Sequence, residues 1–375
     1  MKNLHIKILR GENKIGENLI EVTDGATKIL LECGVALNET EATRAVEELV
    51  VATEYDAVIV SHCHADHSGL LKRKLCAKTI YIGRATYQTL EYCGALHGEN
   101  SPKIRFFQSE REFFVGDICV KPYLCDHSAY DSYMIVLEKG GERVLYTGDF
   151  RANGRKSFEA LLGRLPDRVD RLITERTNTR LKNETEKDLE EKAVALMREK
   201  DRVFVLQSTL NIDRTVTFYR AATRTGKPFI MGLSAANVGG MYENIPNPIT
   251  FSNCYTYTGY ALSDEKYQEI KHTYERKLIG RQEIAHKRKF VMQIHSGMLG
   301  YLQKMAQERS LEGCVLVYSM WQGYREGMKT FLEGVKELGM EIVDLHVSGH
   351  ADRATVGRLI KKVHPTEIVM VHCEK

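Results

Sequence analysis

The sequence lacks the features that mark membrane-spanning and disulfide-rich secreted proteins. No apolar run approaches the roughly 20 residues that a helix needs to cross a bilayer, and Met1–Arg10 carries no apolar signal-peptide core. The nine cysteines are an odd set without closely paired spacing, which favours reduced thiols over a disulfide framework. These absences predict a cytoplasmic globular protein with no membrane partner.

A strong net charge is also missing, because 53 Lys and Arg residues nearly balance 50 Asp and Glu residues. An average this close to neutral neither requires nor excludes a polyanionic partner, so only the distribution of charge is informative. Basic residues cluster in Lys72–Lys74, Arg151–Lys156 and Lys271–Lys289. Each cluster could contact a phosphate backbone or form a solvated helix face, and the sequence leaves both interpretations open.

The chain of 375 residues is long enough for one large domain or two joined ones. The first half favours short strands with few helices, of which Glu41–Thr53 has helical spacing. Apolar or alternating runs predict strands at Lys2–Leu9, Asn18–Thr23, Lys28–Cys33, Ala57–Val60, Ile118–Leu124, Ser132–Leu137, Arg143–Thr147 and Arg171–Thr174.

After about Arg180, charged helical stretches alternate with short apolar runs, which predicts βαβ units and a mostly parallel sheet. Within this half, Ser234–Ser263 is rich in Gly, Asn, Pro and Tyr and is expected to be irregular. A helix at Thr355–Val363 and a strand at Glu367–Val371 could return to the first domain. The pattern therefore indicates a β-rich domain interrupted by an α/β insertion.

Three histidines and one aspartate fall within six residues, in His62-Cys63-His64-Ala65-Asp66-His67, directly after the apolar strand Ala57–Val60. On an extended loop, alternate residues point the same way, so His62 and His64 could bind one metal ion and Asp66 and His67 a second. Asp126-His127-Ser128 and Gly148-Asp149-Phe150 also follow apolar strands and could add ligands. An isolated histidine is usually a packing or surface residue, but a cluster this dense at a strand end favours a two-metal site.

These motifs resemble those of the metallo-β-lactamase superfamily. The resemblance rests on His62-x-His64-x-Asp66-His67 with Ser68-Gly69, on the spacing to His127, and on Tyr146–Arg151. It implies that His62, His64 and His127 bind one zinc ion, that Asp66 and His67 bind the other, and that Asp149 bridges them. Cys63, Cys125 and Cys373 lie beside ligands and are expected to pack rather than to coordinate.

Three later motifs resemble those of the β-CASP group of nucleic-acid-processing members, and RNase J in particular. They are Leu172–Asn178, which contains Glu175, then Val347–Asp352 with His350, and Val369–Glu374 with His372. The resemblance implies an α/β fold, namely a metallo-β-lactamase αββα sandwich with an inserted α/β β-CASP domain. The implied boundaries are residues 1–178 for the first part, 179–346 for the insertion and 347–375 for the return.

The same resemblance implies roles for the later residues. His372 would complete the second zinc site, and His350, oriented by Glu175, would donate a proton to the leaving 3′ oxygen. Asp66 would orient the attacking hydroxide while binding metal, and Ser348 would contact a substrate phosphate. The cofactors would be two Zn²⁺ ions, and Mn²⁺ could use the same mixed nitrogen and oxygen ligands.

The function expected from these roles is hydrolysis of single-stranded RNA by a hydroxide that two metal ions activate, in endonuclease or 5′→3′ exonuclease mode. DNA is an alternative substrate on the same scaffold. A small-molecule ester, thioester or lactone hydrolase and a metal-free scaffold subunit are further alternatives. The chain could also pair with a second copy of itself as a homodimer. In the second half, His295 could face the substrate, and Tyr242, Tyr255, Tyr257 and Tyr260 could stack on bases or pack on their own domain.

Overall fold

The computed structural model describes residues 4–36, 38, 40–98, 102–258 and 265–373. The chain divides into two compact units. One, here called unit 1, runs to Asn183 and resumes at Gly349, and unit 2 runs from Glu184 to Ser348. Unit 2 is therefore inserted into the sequence of unit 1. None of the described helices is long and apolar enough to span a membrane.

The first sheet of unit 1 has its strands in chain order, and its antiparallel first half passes into a parallel second half. Its strands are β1 (His5–Arg10), β2 (Leu19–Thr23), β3 (Lys28–Leu31), β4 (Ala57–Val60), β5 (Thr79–Gly83) and β6 (Lys103–Phe107). The helices between them are α1 (Glu41–Ala52), α2 (Ala65–Ser68) and α3 (Arg84–Tyr92). Helix α1 begins at a reciprocal capping box in which Thr40 and Thr43 satisfy each other's backbone N–H groups.

The second sheet of unit 1 has the order β18-β11-β10-β9-β8-β7. Its strands are β7 (Phe113–Val115), β8 (Ile118–Cys125), β9 (Ser132–Lys139), β10 (Glu142–Tyr146), β11 (Arg171–Glu175) and β18 (Glu367–Val371), with helices α4 (Phe158–Arg164) and α12 (Arg353–Val363). Strands β10, β11 and β18 are mutually parallel. Strand β11 pairs with β18 although the whole of unit 2 lies between them in the sequence.

The two sheets of unit 1 share one apolar core, to which Ile29 and Ile59 of the first sheet and Ile135, Tyr146 and Ile173 of the second contribute. A second core packs α4 and α12 on the other side of the second sheet. Helices and two facing sheets therefore form the layered α/β architecture of a metallo-β-lactamase-like fold.

Unit 2 is a parallel sheet between two helical layers. Its order is β14-β13-β15-β12-β16-β17, with all pairs parallel. The strands are β12 (Arg202–Leu206), β13 (Phe229–Gly232), β14 (Cys254–Tyr257), β15 (Phe290–Ile294), β16 (Val315–Tyr318) and β17 (Glu341–Asp344). The helices are α5 (Glu186–Glu199), α6 (Ile212–Arg224), α7 (Leu233–Gly240), α8 (Glu265–Thr273), α9 (Arg281–His286), α10 (Leu299–Glu308) and α11 (Lys329–Glu337).

The expectation that Ser234–Ser263 is irregular is wrong for two segments of its described length. Helix α7 and strand β14 lie in this stretch. Helix α7 is buried along most of its length, so its sequence shows no polar face, and β14 is polar but is held by parallel pairing with β13. Strands β5 and β6 are also absent from the sequence predictions. These differences arise because tertiary pairing outweighs local propensity.

Candidate metal centre

The histidine loop begins where β4 ends, but it is extended only as far as His64. The carbonyl of His64 accepts hydrogen bonds from the N–H groups of His67 at 3.0 Å and Ser68 at 2.9 Å. Ala65–Ser68 is therefore a single helical turn, and the expectation that Asp66 and His67 lie on an extended loop is wrong. A four-residue helix is too short to leave a periodic signal in the sequence.

The Ala65–Ser68 turn packs tightly against the backbone of Asn18 and Gly34. A Cβ atom on Gly34 would lie 1.8 Å from the Asp66 carbonyl oxygen, so only glycine permits the approach. The N–H of Asn18 donates to that same carbonyl at 3.0 Å. Backbone contacts of this kind fix the position of Asp66 before any metal binds.

A first group of possible ligands is formed by His62, His64, His127 and Asp149. The Nδ1 atom of His64 lies 3.1 Å from Nε2 of His62 and 3.2 Å from Nε2 of His127. Zinc–nitrogen bonds of ~2.0–2.1 Å in a tetrahedron place ligand atoms about 3.4 Å apart. The spacing of the three imidazole nitrogens therefore suits one tetrahedral ion.

The rings of this group are oriented through their other nitrogens. Nδ1 of His62 lies 2.9 Å from the Ser61 hydroxyl oxygen, and Nδ1 of His127 lies 2.7 Å from the Gly349 carbonyl oxygen. Such outer contacts fix the tautomer and leave Nε2 for the metal. Burial is the main cause that lowers the pKa of His62, His64 and His127, which keeps these imidazoles neutral, as metal ligands must be.

A second group is formed by Asp66, His67, Asp149 and His372. Nε2 of His372 lies 3.0 Å from Oδ2 of Asp66, and Nε2 of His67 lies 3.2 Å from Oδ2 of Asp149. Outer contacts again hold the rings, since the Thr177 hydroxyl oxygen lies 2.6 Å from Nδ1 of His372.

The backbone places His372 directly after β18 in the left-handed region, with φ 51°. Few residues other than glycine adopt this conformation, and such strain is concentrated at functional sites. The N–H of His372 donates to the Gly11 carbonyl at 2.6 Å, which ties the strained residue to the end of β1.

Asp149 is common to both groups. Its Oδ2 atom lies 3.2 to 3.9 Å from a ring nitrogen of each of five histidines, namely His62, His67, His127, His350 and His372. Its Oδ1 atom is buried and has no hydrogen-bond partner among the described residues. A buried carboxylate oxygen without a partner is costly, and a bridging position between two cations would satisfy it.

The electrostatics of the centre also fit bound cations. Burial alone would raise the pKa of Asp149, but the surrounding histidines, led by His372 and His67, hold it well below its usual value. Burial would likewise lower the pKa of His67, yet Asp149, Asp66 and Glu32 raise it well above its usual value. Several buried carboxylates thus create a negative potential that divalent ions would balance.

Glu32 is a functional residue that sequence analysis missed. Its side chain is fully buried, and its Oε1 atom lies 3.2 Å from Nδ1 of His67. Its Oε2 atom accepts a hydrogen bond at 3.0 Å from the N–H of Ser61. The available signal was a charged residue directly after the apolar run of β3, inside the range predicted as a strand.

His350 and Glu175 form a pair beside the two ligand groups. Nδ1 of His350 lies 2.9 Å from Oε2 of Glu175 and 3.7 Å from Oδ2 of Asp149. Burial would lower the pKa of His350, but Glu175 and Asp149 raise it to about 9. Glu175 is itself fixed, because its Oε1 accepts a hydrogen bond at 2.9 Å from the N–H of Phe150.

The remaining candidates lie elsewhere or play other parts. Cys63 and Cys125 are absent from the ligand groups, and burial raises the pKa of both thiols to about 12. Ser348 belongs to unit 2, and its phosphate contact stays a prediction. Arg151, expected in a basic surface, is fully buried and bonded to Asp126 at 3.0 Å.

The tyrosines proposed for base stacking are mostly buried. Tyr242 and Tyr257 are less than a tenth exposed, so their rings pack within unit 2, and Tyr255 is half-buried. Tyr260 lies outside the described residues. Packing is therefore the better interpretation for Tyr242 and Tyr257.

Similarity to known proteins agrees with this geometry. Curated relatives include cleavage and polyadenylation specificity factor 73 from Drosophila melanogaster, 28% identical over 52% of this chain, and an RNase J-like protein from Methanocaldococcus jannaschii, 28% identical over 46%. The matches span only 31% and 42% of those two relatives.

Among solved structures, a protein of unknown function from Enterococcus faecalis V583 is similar over the whole of this chain and 94% of its own, with a TM-score of 0.76 and 17% identity. That similarity establishes a shared fold. The family model of the beta-lactamase superfamily domain matches residues 27–221, more than half of the 375-residue chain. This match covers most of the histidine and aspartate positions described above, and the chain belongs to the metallo-β-lactamase superfamily.

Proposed function

We propose that this protein is a two-metal ribonuclease that hydrolyses phosphodiester bonds of single-stranded RNA. The observation that carries the proposal is the shared position of Asp149, which joins two groups of ligands beside the His350–Glu175 pair. Zn²⁺ is the proposed metal because imidazole and carboxylate donors dominate both groups. Mn²⁺ could use the same ligands.

A pair of divalent ions, when bound, supplies Lewis acidity for a phosphoryl oxygen and lowers the pKa of water towards neutrality. The residues of the chain contribute position. His62, His64 and His127 would hold one ion, and Asp66, His67 and His372 the other. Asp149 would hold both ions.

His350 would act on the leaving group. Glu175 and Asp149 raise the pKa of His350, which favours the protonated ring, and Glu175 occupies Nδ1. A proton for the leaving 3′ oxygen would therefore come from Nε2. The His350 side chain is a quarter exposed, whereas that of Glu175 is almost fully buried, so the ring is accessible while its partner is protected.

Support for a nucleic-acid substrate comes from the names of the two curated relatives, one a cleavage and polyadenylation factor and the other RNase J-like. The inserted parallel α/β unit supports the proposal that residues 179–346 form a β-CASP domain. Ser348 is proposed as a phosphate contact, and a homodimer as one assembly state. DNA remains the principal alternative substrate.

The test uses the full chain with its bound metal quantified. One labelled oligonucleotide sequence would be supplied as RNA and as DNA, each with a 5′-phosphate or a 5′-hydroxyl. Asp66→Ala removes a ligand, and Asp117→Ala is the matched control because Asp117 is an exposed aspartate. We expect RNA cleavage by the wild type and by Asp117→Ala, and none by Asp66→Ala.

The pattern of products separates the modes of attack. A ladder of internal fragments indicates an endonuclease, and loss of single nucleotides from the 5′ end indicates 5′→3′ exonuclease attack. Cleavage of DNA alone would reassign the substrate. Two bound metals without cleavage of either polymer would contradict the nuclease proposal and favour a small-molecule hydrolase.

A further inference from the structure

Unit 2 contains a pocket at the carboxyl ends of its parallel strands. Its lining includes Gly232, the last residue of β13, and Ser234 of α7. It also includes Tyr257 at the end of β14, Gln293 near the end of β15 and His295 just after it. Strands β13 and β15 are neighbours in the sheet, but the chain leaves β13 towards β14 and leaves β15 towards β16 on the opposite side. Ligands of parallel α/β sheets bind at such a reversal of direction.

Gln293 is the residue in this pocket that lacks a partner. Gln293 is only 4% exposed. Neither its amide nitrogen nor its amide oxygen has a hydrogen-bond partner among the described residues. Buried polar groups in proteins are almost always hydrogen-bonded, so an exception requires an explanation. A ligand that offers one donor and one acceptor side by side would satisfy both atoms.

The rest of the lining limits the chemistry of that ligand. The described lining residues include no lysine, arginine, aspartate or glutamate. The N–H of Gly297 donates to Nδ1 of His295 at 3.2 Å, and burial lowers the pKa of this histidine, so its ring is neutral near pH 7. A phosphate or another ion would find no opposite charge in the lining, which favours an uncharged polar ligand.

The volume of the cavity further limits the class of ligand. The cavity measures about 120 Å³, several-fold below the ~300–1,000 Å³ that holds a drug-sized ligand. It therefore fits one ring system and not a whole nucleotide. Helix α7 starts at Leu233, and its N-cap residue Gly232 provides no side-chain cap, so backbone donors of its first turn are available at this end of the sheet.

We propose that this pocket binds a single nucleobase, whose donor and acceptor edge pairs with the amide of Gln293. A glutamine amide recognises base edges through two hydrogen bonds in this way. The proposal rests on the proposed function, since a nucleic-acid substrate is the source of the base. It adds a recognition site on unit 2 that is separate in sequence from every residue of the metal centre.

The test measures binding without turnover. Each of the four ribonucleosides, which contain no phosphodiester bond, is titrated into the full-length protein with its bound metal and followed by calorimetry or ligand-observed NMR. Gln293→Met keeps the length of the side chain and removes both hydrogen-bonding atoms. Gln207→Met is the matched control, because Gln207 is equally buried at 4% but does not line the pocket.

We expect at least one nucleoside to bind the wild type and Gln207→Met, and its affinity to fall roughly 5- to 150-fold in Gln293→Met. If Gln293→Met does not fold, Ser234→Leu replaces it, since Ser234 is exposed at the pocket and a leucine would obstruct entry. Inorganic phosphate should not compete.

Three outcomes would overturn the proposal: no nucleoside binds, binding survives the pocket substitutions, or phosphate displaces the nucleoside. Failure here can be told apart from failure of the nuclease proposal. Nucleoside binding that depends on Gln293 without RNA cleavage would retain the pocket and refute the nuclease. RNA cleavage without nucleoside binding would do the reverse.

Discussion

A buried ion pair in unit 2 allows a quantitative test of the structure. Arg214 of α6 and Glu186 of α5 are almost completely buried, and their closest contact is 3.1 Å. Arg214 also donates to the Ser319 carbonyl at 3.1 Å and to the Val347 carbonyl at 3.0 Å, and Thr217 donates to Glu186 at 2.8 Å. Arg214 thereby links α5, the first helix of unit 2, to Val347, the penultimate residue of that unit.

Arg214→Met should destabilise unit 2 by about 3–5 kcal/mol, because the carboxylate of Glu186 would stay buried without its cation. With a urea dependence of ~1–3 kcal/mol per molar, the midpoint should fall by roughly 2 M. Replacing both residues by methionine should cost less than the sum of the two single changes, since no charge is then left unpaired.

The assay uses the single tryptophan of the chain, Trp321, which lies in unit 2. Its fluorescence during urea unfolding reports on this unit separately, which matters because two units need not unfold together. Arg288→Met is the matched control in the same unit. Arg288 lies 4.0 Å from Asp201 at the surface, and both side chains are more than half exposed, so its loss should leave the midpoint nearly unchanged. Equal effects at Arg214 and Arg288, or additive single and double changes, would refute the reasoning.

Four further predictions concern the metal centre and a surface loop. Asp149→Ala should lose both metal ions, measured by elemental analysis after dialysis, and retention of a full pair would remove Asp149 from its bridging role. His350→Ala should keep both ions and lose most turnover. In the wild type, activity should fall as the pH rises through the pKa of the protonated His350 ring. That pKa should lie at or below about 9, because bound cations at Asp149 would lower it. Glu175→Gln should move this alkaline limb to lower pH, and an unchanged pH profile would show that His350 is not the acid. Gly323→Ala should change the emission of Trp321 with little effect on stability, because the new Cβ atom would lie 2.2 Å from an indole ring that is about half exposed; identical emission spectra would contradict this close approach of Gly323 to the indole.

The candidate metal ligands could be singled out in the sequence because their chemistry is local. Each of His62, His127 and Asp149 closely follows a strand of apolar residues, and imidazole and carboxylate groups at strand ends are a recognisable pattern. The sequence predicted a strand where a short run of residues was wholly apolar, as in β4. Their order across each sheet could not be derived from local patterns.

Other parts of the site depend on contacts between distant residues. The orientation of His67 depends on Glu32, and that of His372 on Thr177, at distances of 3.2 and 2.6 Å that no local pattern encodes. The helical turn at Asp66 is fixed by packing against Gly34. Burial of Arg151 follows from its pairing with Asp126, whereas sequence alone suggested a surface cation.

The pairing of β11 with β18 has a consequence for biosynthesis. Glu175 is opposite Val371 in this pair, and His372 follows Glu175 by 197 residues. At ~5–20 residues per second, a ribosome needs roughly 10–40 s to cover that distance. Throughout this interval the nascent chain carries His62, His127 and Asp149 but lacks His372. The proposed ligand set is therefore completed only after the inserted unit has been synthesised, and a chain interrupted within unit 2 would carry every proposed ligand except His372.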